Sequence, residues 1–263
     1  MTSQIKPKTP PPPPVVPEEE IEDGHELRMS LLEHLDDLRT TLTRAAIALI
    51  IGIVIALPLT QPILEFLRQP YGERFQILDP TGSVISFFRV TLMIGAIISI
   101  PATTYQLLLF IIPGMTKQEK KYLFRAIPAI TLLFLIGVIF AWTILIPPAL
   151  DFLQGFQSET FKAEWTADGY LGFVTALVFW MGVAFETPLI FFVLSLMGMV
   201  EARTLARNWR IAIIASAVAA AFITPTVDPV NMFLVMGPLM ALYGLSIILV
   251  MIGRRISKVD AQA

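Results

Sequence analysis

The chain has 263 residues, of which 55% are apolar and only 15% charged, with a net charge of −2 and a mean hydropathy of +0.71. That balance excludes an ordinary soluble domain and points to a membrane protein. There are no cysteines, which excludes disulfides and thiolate metal sites.

Residues 1–28 combine five consecutive prolines with Glu18, Glu19, Glu20, Glu22 and Asp23, a mixture that cannot build a core and reads as a disordered acidic tail. Its acids mask, in the net charge, the basic surface expected on the cytoplasmic side. A start that is Pro-rich and acidic, not basic and then apolar, is unlike a cleaved secretory signal, so the first span is expected to insert as an uncleaved anchor. Structure is expected from "SLLEHLDDLRTTLTR". Ser30 and Glu33 have the spacing of a capping box, and Leu31, Leu35, Leu38 and Leu42 recur at helical spacing. This predicts an amphipathic helix at the membrane interface that continues into the first span.

Six charge-poor runs follow: Ala45 to Leu64, Val90 to Thr116, Ala126 to Leu150, Gly169 to Met199 with Glu186 as its one charge, Ile211 to Val227, and Pro229 to Gly253. Each is close to or above the about 17 to 20 residues that cross a bilayer. Pro101, Pro128, Pro188 and Pro238 fall inside spans and predict kinks. Pro225 predicts that the fifth helix stops near Ile223 after roughly 21 Å, short of a hydrocarbon core about 30 Å thick. The first two connections opposite the N-terminus, residues 61–88 and 151–170, are semi-apolar and are expected to pack as a cap. Counting lysines and arginines in alternate connections gives fifteen on the side of the termini and four on the other. Both termini are therefore expected in the cytoplasm. The reading is an all-α integral membrane protein: six transmembrane helices over residues 29–253, kinked, with short fifth and sixth spans and a short tail from residue 254 to residue 263.

Enzyme signatures such as HExxH, GxSxG and a Gly-rich phosphate loop are missing, and both histidines lie near the N-terminus. The candidate functional residues are acids in awkward places. Asp36 has Arg39 three residues on, suited to a local ion pair. Asp37 has Glu33, His34, Thr40 and Thr41 at helical spacing, with no lysine or arginine to neutralise it, so it is either a solvated acid or an acceptor for a cation from outside. Glu119, in "GMTKQEKKYLFR", likewise lacks a basic residue three or four positions away; with Thr116 it also fits a capping box, and both readings stay open. Glu186, in "FWMGVAFETPLIFF", lies near mid-bilayer, where an acid costs about 2.5–3.5 kcal/mol. Its helical neighbours offer no partner, which leaves Gln106, Thr103 and Thr104 of the second span as polar candidates. A structural hydrogen bond, an ion site of a secondary transporter and a contact for an incoming segment are the alternatives. Against a transporter stand the lack of a second intramembrane acid and of any internal repeat. A ligand-free scaffold is the third class.

Taken in order, "HLDDLR", "YQLLLFIIPGMTKQEKK", "FETP" and "FITPTVDP" on six spans resemble the TatC subunit of the twin-arginine protein translocase, over about Ser30 to Gly253. The resemblance implies a glove-shaped six-helix protein that receives folded proteins bearing a twin-arginine signal peptide. It implies small single-span partners, TatA and in many systems TatB, an oligomer in the cell inner membrane, and transport driven by the proton motive force without nucleotide. No cofactor, metal or nucleic acid is expected. Carried over by motif, Asp37 and Glu119 are the signal-binding acids, flanked by Phe110 and Met115. Where the family commonly has Glu, this chain has Asp37, one methylene shorter, so Asp36 beside it is included. Glu186 matches an acid on the concave face, with Gln106 a polar residue able to hydrogen-bond with it. Thr224 and Asp228 match the region where a partner's helix docks, with one extra residue before Asp228. Pro70 matches a proline of the first outer loop and reads as a structural turn.

Overall fold

The structure, a computed structural model, describes residues 31–71, 74–111, 117–160, 164–226 and 228–260. The acidic tail, Ser30, and the loop carrying Met115 and Thr116 lie outside the described residues. The described residues form helices α1 (Leu31–Ala56), α2 (Thr60–Arg68), α3 (Gly82–Ile111), α4 (Lys117–Phe140), α5 (Ile146–Gly155), α6 (Ala167–Leu196), α7 (Ala202–Arg207), α8 (Trp209–Ile223) and α9 (Pro229–Asp260). A 3-10 turn, Leu57–Leu59, joins α1 to α2, and a π turn, Ala141–Leu145, joins α4 to α5. Five helical stretches are long and apolar enough to cross a membrane, and α8 is a shorter sixth.

The interfacial helix and first span are one helix, as expected. Leu35, Leu38 and Leu42, the apolar face read from sequence, are exposed, which is where lipid belongs and not where a protein core lies. All four interior prolines stand within α3, α4, α6 and α9. The π turn was not foreseen. It directly precedes Pro147 and Pro148, whose missing amides and bulky rings disturb the hydrogen-bond ladder one turn upstream, and a widened turn absorbs that.

The fifth span ends where Pro225 requires. At 15 residues, α8 reaches about 22 Å, less than a ~30 Å hydrocarbon core. The sixth span is corrected: it is not short. Helix α9 has 32 residues, because nothing after Pro238 interrupts its apolar run. The helix continues to Asp260, so residues 254–260 extend it.

Helix α6 is the hub, packing against α3, α4 and α9, while α1 lies against α3. Small residues set the closest approaches. A Cβ on Gly95 would fall 2.7 Å from the Cα of Ile53, and one on Gly137 would fall 2.9 Å from the Cα of Gly182. Backbones this close gain dispersion contacts over many atoms, the main attraction left between helices in lipid. Ser195, Gly198 and Arg254 close the opposite end of α6. Gly198 takes the left-handed conformation (φ 76°) and ends the helix in a Schellman turn, with Met199 N donating to Leu194 O. Arg254 of α9 donates to the Gly198 and Val200 carbonyls.

The expected cap is present. Tyr71, Phe75, Trp165 and Tyr170 form an aromatic cluster with centroids 5.2–6.0 Å apart, and the Tyr170 hydroxyl donates to the Leu67 carbonyl. Gln76 and Thr166 form a β-bridge, and Ala167 N donates to Gln76 O. The first and second connections are thereby tied together.

Candidate functional site

The register of α1 against α3 places the first cluster of candidates. These helices are antiparallel, with Gly52 against Gly95 and Thr60 hydrogen-bonded to Thr91. At equal rise per residue, Asp37 falls level with the Phe110 end of α3. Phe110, half-buried in the last turn of α3, is thus at the depth of Asp37. Asp37 is half-buried and Asp36 exposed. Among the described residues no ion pair joins Asp36 to Arg39, and none involves Asp37. Glu119 is the third residue of α4, at this same end of the bundle; its side chain, like Met115, lies outside the described residues.

Glu186 stands on α6 about 15 Å from the helix's Leu196 end, half the thickness of a hydrocarbon core. Gly182 and Phe185, one turn back and adjacent, pack on α4. Helices α3 and α6 run parallel, with Arg89 beside Asp168 and Gly172, and that offset brings Glu186 level with about residues 103–107. Gln106 is in this layer, as are Thr103 and buried Thr104. The hydrogen bond expected between Glu186 and Gln106 is not formed. Instead Glu186 Oε1 and Gln106 Oε1 are each buried without a hydrogen-bond partner. Two acceptor oxygens cannot satisfy one another, and the Gln106 amide nitrogen, a donor in the same layer, makes no hydrogen bond to Glu186. Pro188 adds a third acceptor, since it has no amide to offer the Ala184 carbonyl.

The pair read as a docking region is locally satisfied. Thr224 is buried, and its hydroxyl donates to the Ala220 carbonyl, 2.8 Å away, at the end of α8. Asp228 caps α9: Oδ1 accepts from the Asn231 amide at 2.7 Å and Oδ2 from the Asn231 side chain at 3.0 Å. Pro229 at the first helical position suits this cap. Burial alone would raise the Asp228 pKa, but the hydrogen bonds from Asn231, Thr226 and Val230 together outweigh it and hold the carboxyl below its usual value. Pro70 lies in the turn closed by Tyr71 N to Arg68 O, 2.9 Å, a structural role as read.

Sequence reasoning missed Arg89 and Asp168. Arg89 Nη1 lies 2.8 Å from Asp168 Oδ1 and donates to the Asp168 carbonyl at 2.7 Å. Each residue borders a charge-poor run, which is the only local signal; nothing in the sequence pairs positions this far apart.

A six-span bundle with an acid-bearing end, an intramembrane acid with an unpartnered oxygen and an aromatic cap on the other end narrows the choice of family. A family model, Sec-independent protein translocase protein (TatC), matches residues 33–238. The chain belongs to the TatC family. It is 32% identical over 219 residues to the Sec-independent protein translocase protein TatC of Synechocystis sp., covering 83% of this chain and 86% of that protein. It is 30% identical to the chloroplastic TATC of Oryza sativa, over 82% of this chain and 61% of the longer plant protein. A crystal structure of the twin-arginine translocase receptor TatC superposes with a TM-score of 0.76 at 32% identity, over 84% of this chain and 99% of that one. The family consists of protein-translocation components, not enzymes, and this TatC-family chain is a multi-pass membrane protein. The resemblance read from "HLDDLR" to "FITPTVDP" is borne out, as is the helical fold.

Proposed function

We propose that the chain is the receptor and core subunit of a twin-arginine translocase in the cell inner membrane. Its Asp37 end and both termini face the cytoplasm, in keeping with the excess of lysine and arginine in the connections on that side. The observation that carries this reading is Asp37, half-buried at the level of Phe110 and free of any ion pair among the described residues. It stands at the same end of the bundle as Glu119. Two adjacent guanidiniums call for anionic acceptors, and carboxylates accept from them in charge-assisted, often bidentate hydrogen bonds. Asp37 and Glu119 provide the charge, Asp36 an adjacent acceptor, and Phe110 and Met115 an apolar flank for the signal peptide. Glu186 and Gln106 act later, when an incoming helix brings a partner to their unsatisfied oxygens. Thr224 and Asp228, at the α8–α9 corner, mark where a TatA- or TatB-type single-span subunit docks. Several copies assemble, and the proton motive force drives transport of folded cargo.

A photoreactive twin-arginine signal peptide tests this. Crosslinking is expected next to Asp37 and in the first turn of α4, with loss when the two arginines are changed to lysines. Equal crosslinking by the twin-lysine peptide would overturn the reading.

A further inference from the structure

At the Arg89 end of the bundle, a cleft of about 640 Å³ opens between α3, α6 and the α8–α9 corner. Arg89 and Asp168 form its rim, Met93, Phe173 and Phe179 its apolar wall, and Pro225 its far side. The rim sits at the hydrocarbon boundary: Arg89 and Asp168 border the charge-poor runs of their helices, and both side chains are partly exposed, 35% and 50%. From Asp168 to Phe179 the wall descends about 16 Å along α6, a depth suited to an acyl chain. Gly172 lets Arg89 lie across α6, since a Cβ there would fall 2.6 Å from Arg89 Nη1.

The rim's hydrogen bonds leave donors and an acceptor over. Arg89 uses Nη1 for the Asp168 carbonyl and Oδ1. Its Nε and Nη2 groups, and Asp168 Oδ2, have no partner among the hydrogen bonds and ion pairs of the described residues. A guanidinium with spare donors suits a phosphodiester, and a carboxylate oxygen beside it suits an ammonium that can donate. The pair is neutral as a whole, so a ligand carrying both charges fits it better than a simple anion. Above an apolar slot at the membrane boundary, that ligand is a lipid.

We propose that this cleft binds a zwitterionic phospholipid with a primary ammonium head group, phosphatidylethanolamine in chemistry: its phosphate on Arg89, its ammonium on Asp168 and one acyl chain along Met93, Phe173 and Phe179. Phosphatidylglycerol lacks the ammonium. Phosphatidylcholine has an ammonium that cannot donate a hydrogen bond.

The test is native mass spectrometry of the delipidated full chain, with dioleoyl phosphatidylethanolamine, phosphatidylglycerol and phosphatidylcholine added singly at equal concentration. One retained phosphatidylethanolamine is expected, with each of the other two held about tenfold more weakly for want of one charge-assisted bond. Asp168→Asn leaves Arg89 unneutralised and should turn the preference toward phosphatidylglycerol, whereas Ala176→Phe, in the wall, should reduce retention of all three. Equal retention of the three lipids by the unaltered protein, or an unchanged preference in Asp168→Asn, would overturn the proposal. Should a variant fail to purify, the three-lipid comparison on the unaltered protein decides alone.

Discussion

The hydroxyls of Thr60 and Thr91 lie 2.8 Å apart in a fully buried contact between the first and second spans. Each is also within hydrogen-bond distance of its own helix, at the Ala56 and Phe87 carbonyls. Two protons serve three contacts, so one threonine donates across to its neighbour while the other donates to its own helix.

Removing one hydroxyl leaves the other free to bond its own carbonyl, so Thr60→Val and Thr91→Val should each cost only about 0.6 kcal/mol, the usual scale for interhelical hydrogen bonds in membranes. The double variant should cost less than the sum, since an apolar pair of the same shape leaves nothing unsatisfied. Thermal unfolding of the four proteins in one detergent measures the coupling, and strict additivity would show the cross-helix bond to be absent.

Gly95→Val drives a branched side chain into the Ile53 backbone. Overpacking of this kind costs about 1–3 kcal/mol. The melting temperature should fall clearly, whereas Gly244→Ala, on α9, where an added Cβ meets nothing within 4 Å, should leave it unchanged or slightly raised.

Asp228→Ala removes the cap of α9 and should destabilise by about 0.5–2 kcal/mol, while Asp228→Asn, which keeps a capping oxygen but not the charge, should cost less than the alanine change. The folded-state pKa of Asp228 is lowered, so its charge stabilises the fold fully above the ordinary value near ~3.9. That contribution shrinks as pH falls below this value and is lost as pH passes through the folded-state pKa. The stability gap between the native protein and Asp228→Ala should therefore hold from pH 7 to pH 5 and narrow in stronger acid, read by unfolding at each pH.

Glu186→Ala should leave twin-arginine crosslinking at the surface near its native level and lower transport of folded cargo by tenfold or more, about 1.4 kcal/mol at the step concerned. Glu119→Gln should show the converse, with weakened crosslinking in an intact bundle. Normal transport by Glu186→Ala would remove its functional role, and unchanged crosslinking by Glu119→Gln would return that residue to a helix cap.

The spans were legible because membrane helices must satisfy their backbone internally and be apolar throughout, so charge-poor runs and their flanking prolines mark them. Pro225 announced the short fifth helix for the same local reason. The solitary acid Glu186 was legible as an anomaly, but the missing bond to Gln106 was not, because it depends on how two helices are rotated. The Arg89–Asp168 pair and the Thr60–Thr91 contact were hidden for the same cause: they join positions whose proximity only packing decides. The π turn had a signal, the Pro147–Pro148 pair, whose effect on the preceding turn went unread.

The aromatic cap has a consequence for synthesis. Gln76 bonds to Glu164, 88 residues later in the chain. At ribosomal rates of about 5–20 residues per second, the first connection waits roughly 4–18 s before its partner is made. Throughout that interval Tyr71 and Phe75 have no Trp165 or Tyr170 to stack on. The cap therefore closes only once the fourth span has been made, and the outer face of the first pair of spans is completed late in synthesis.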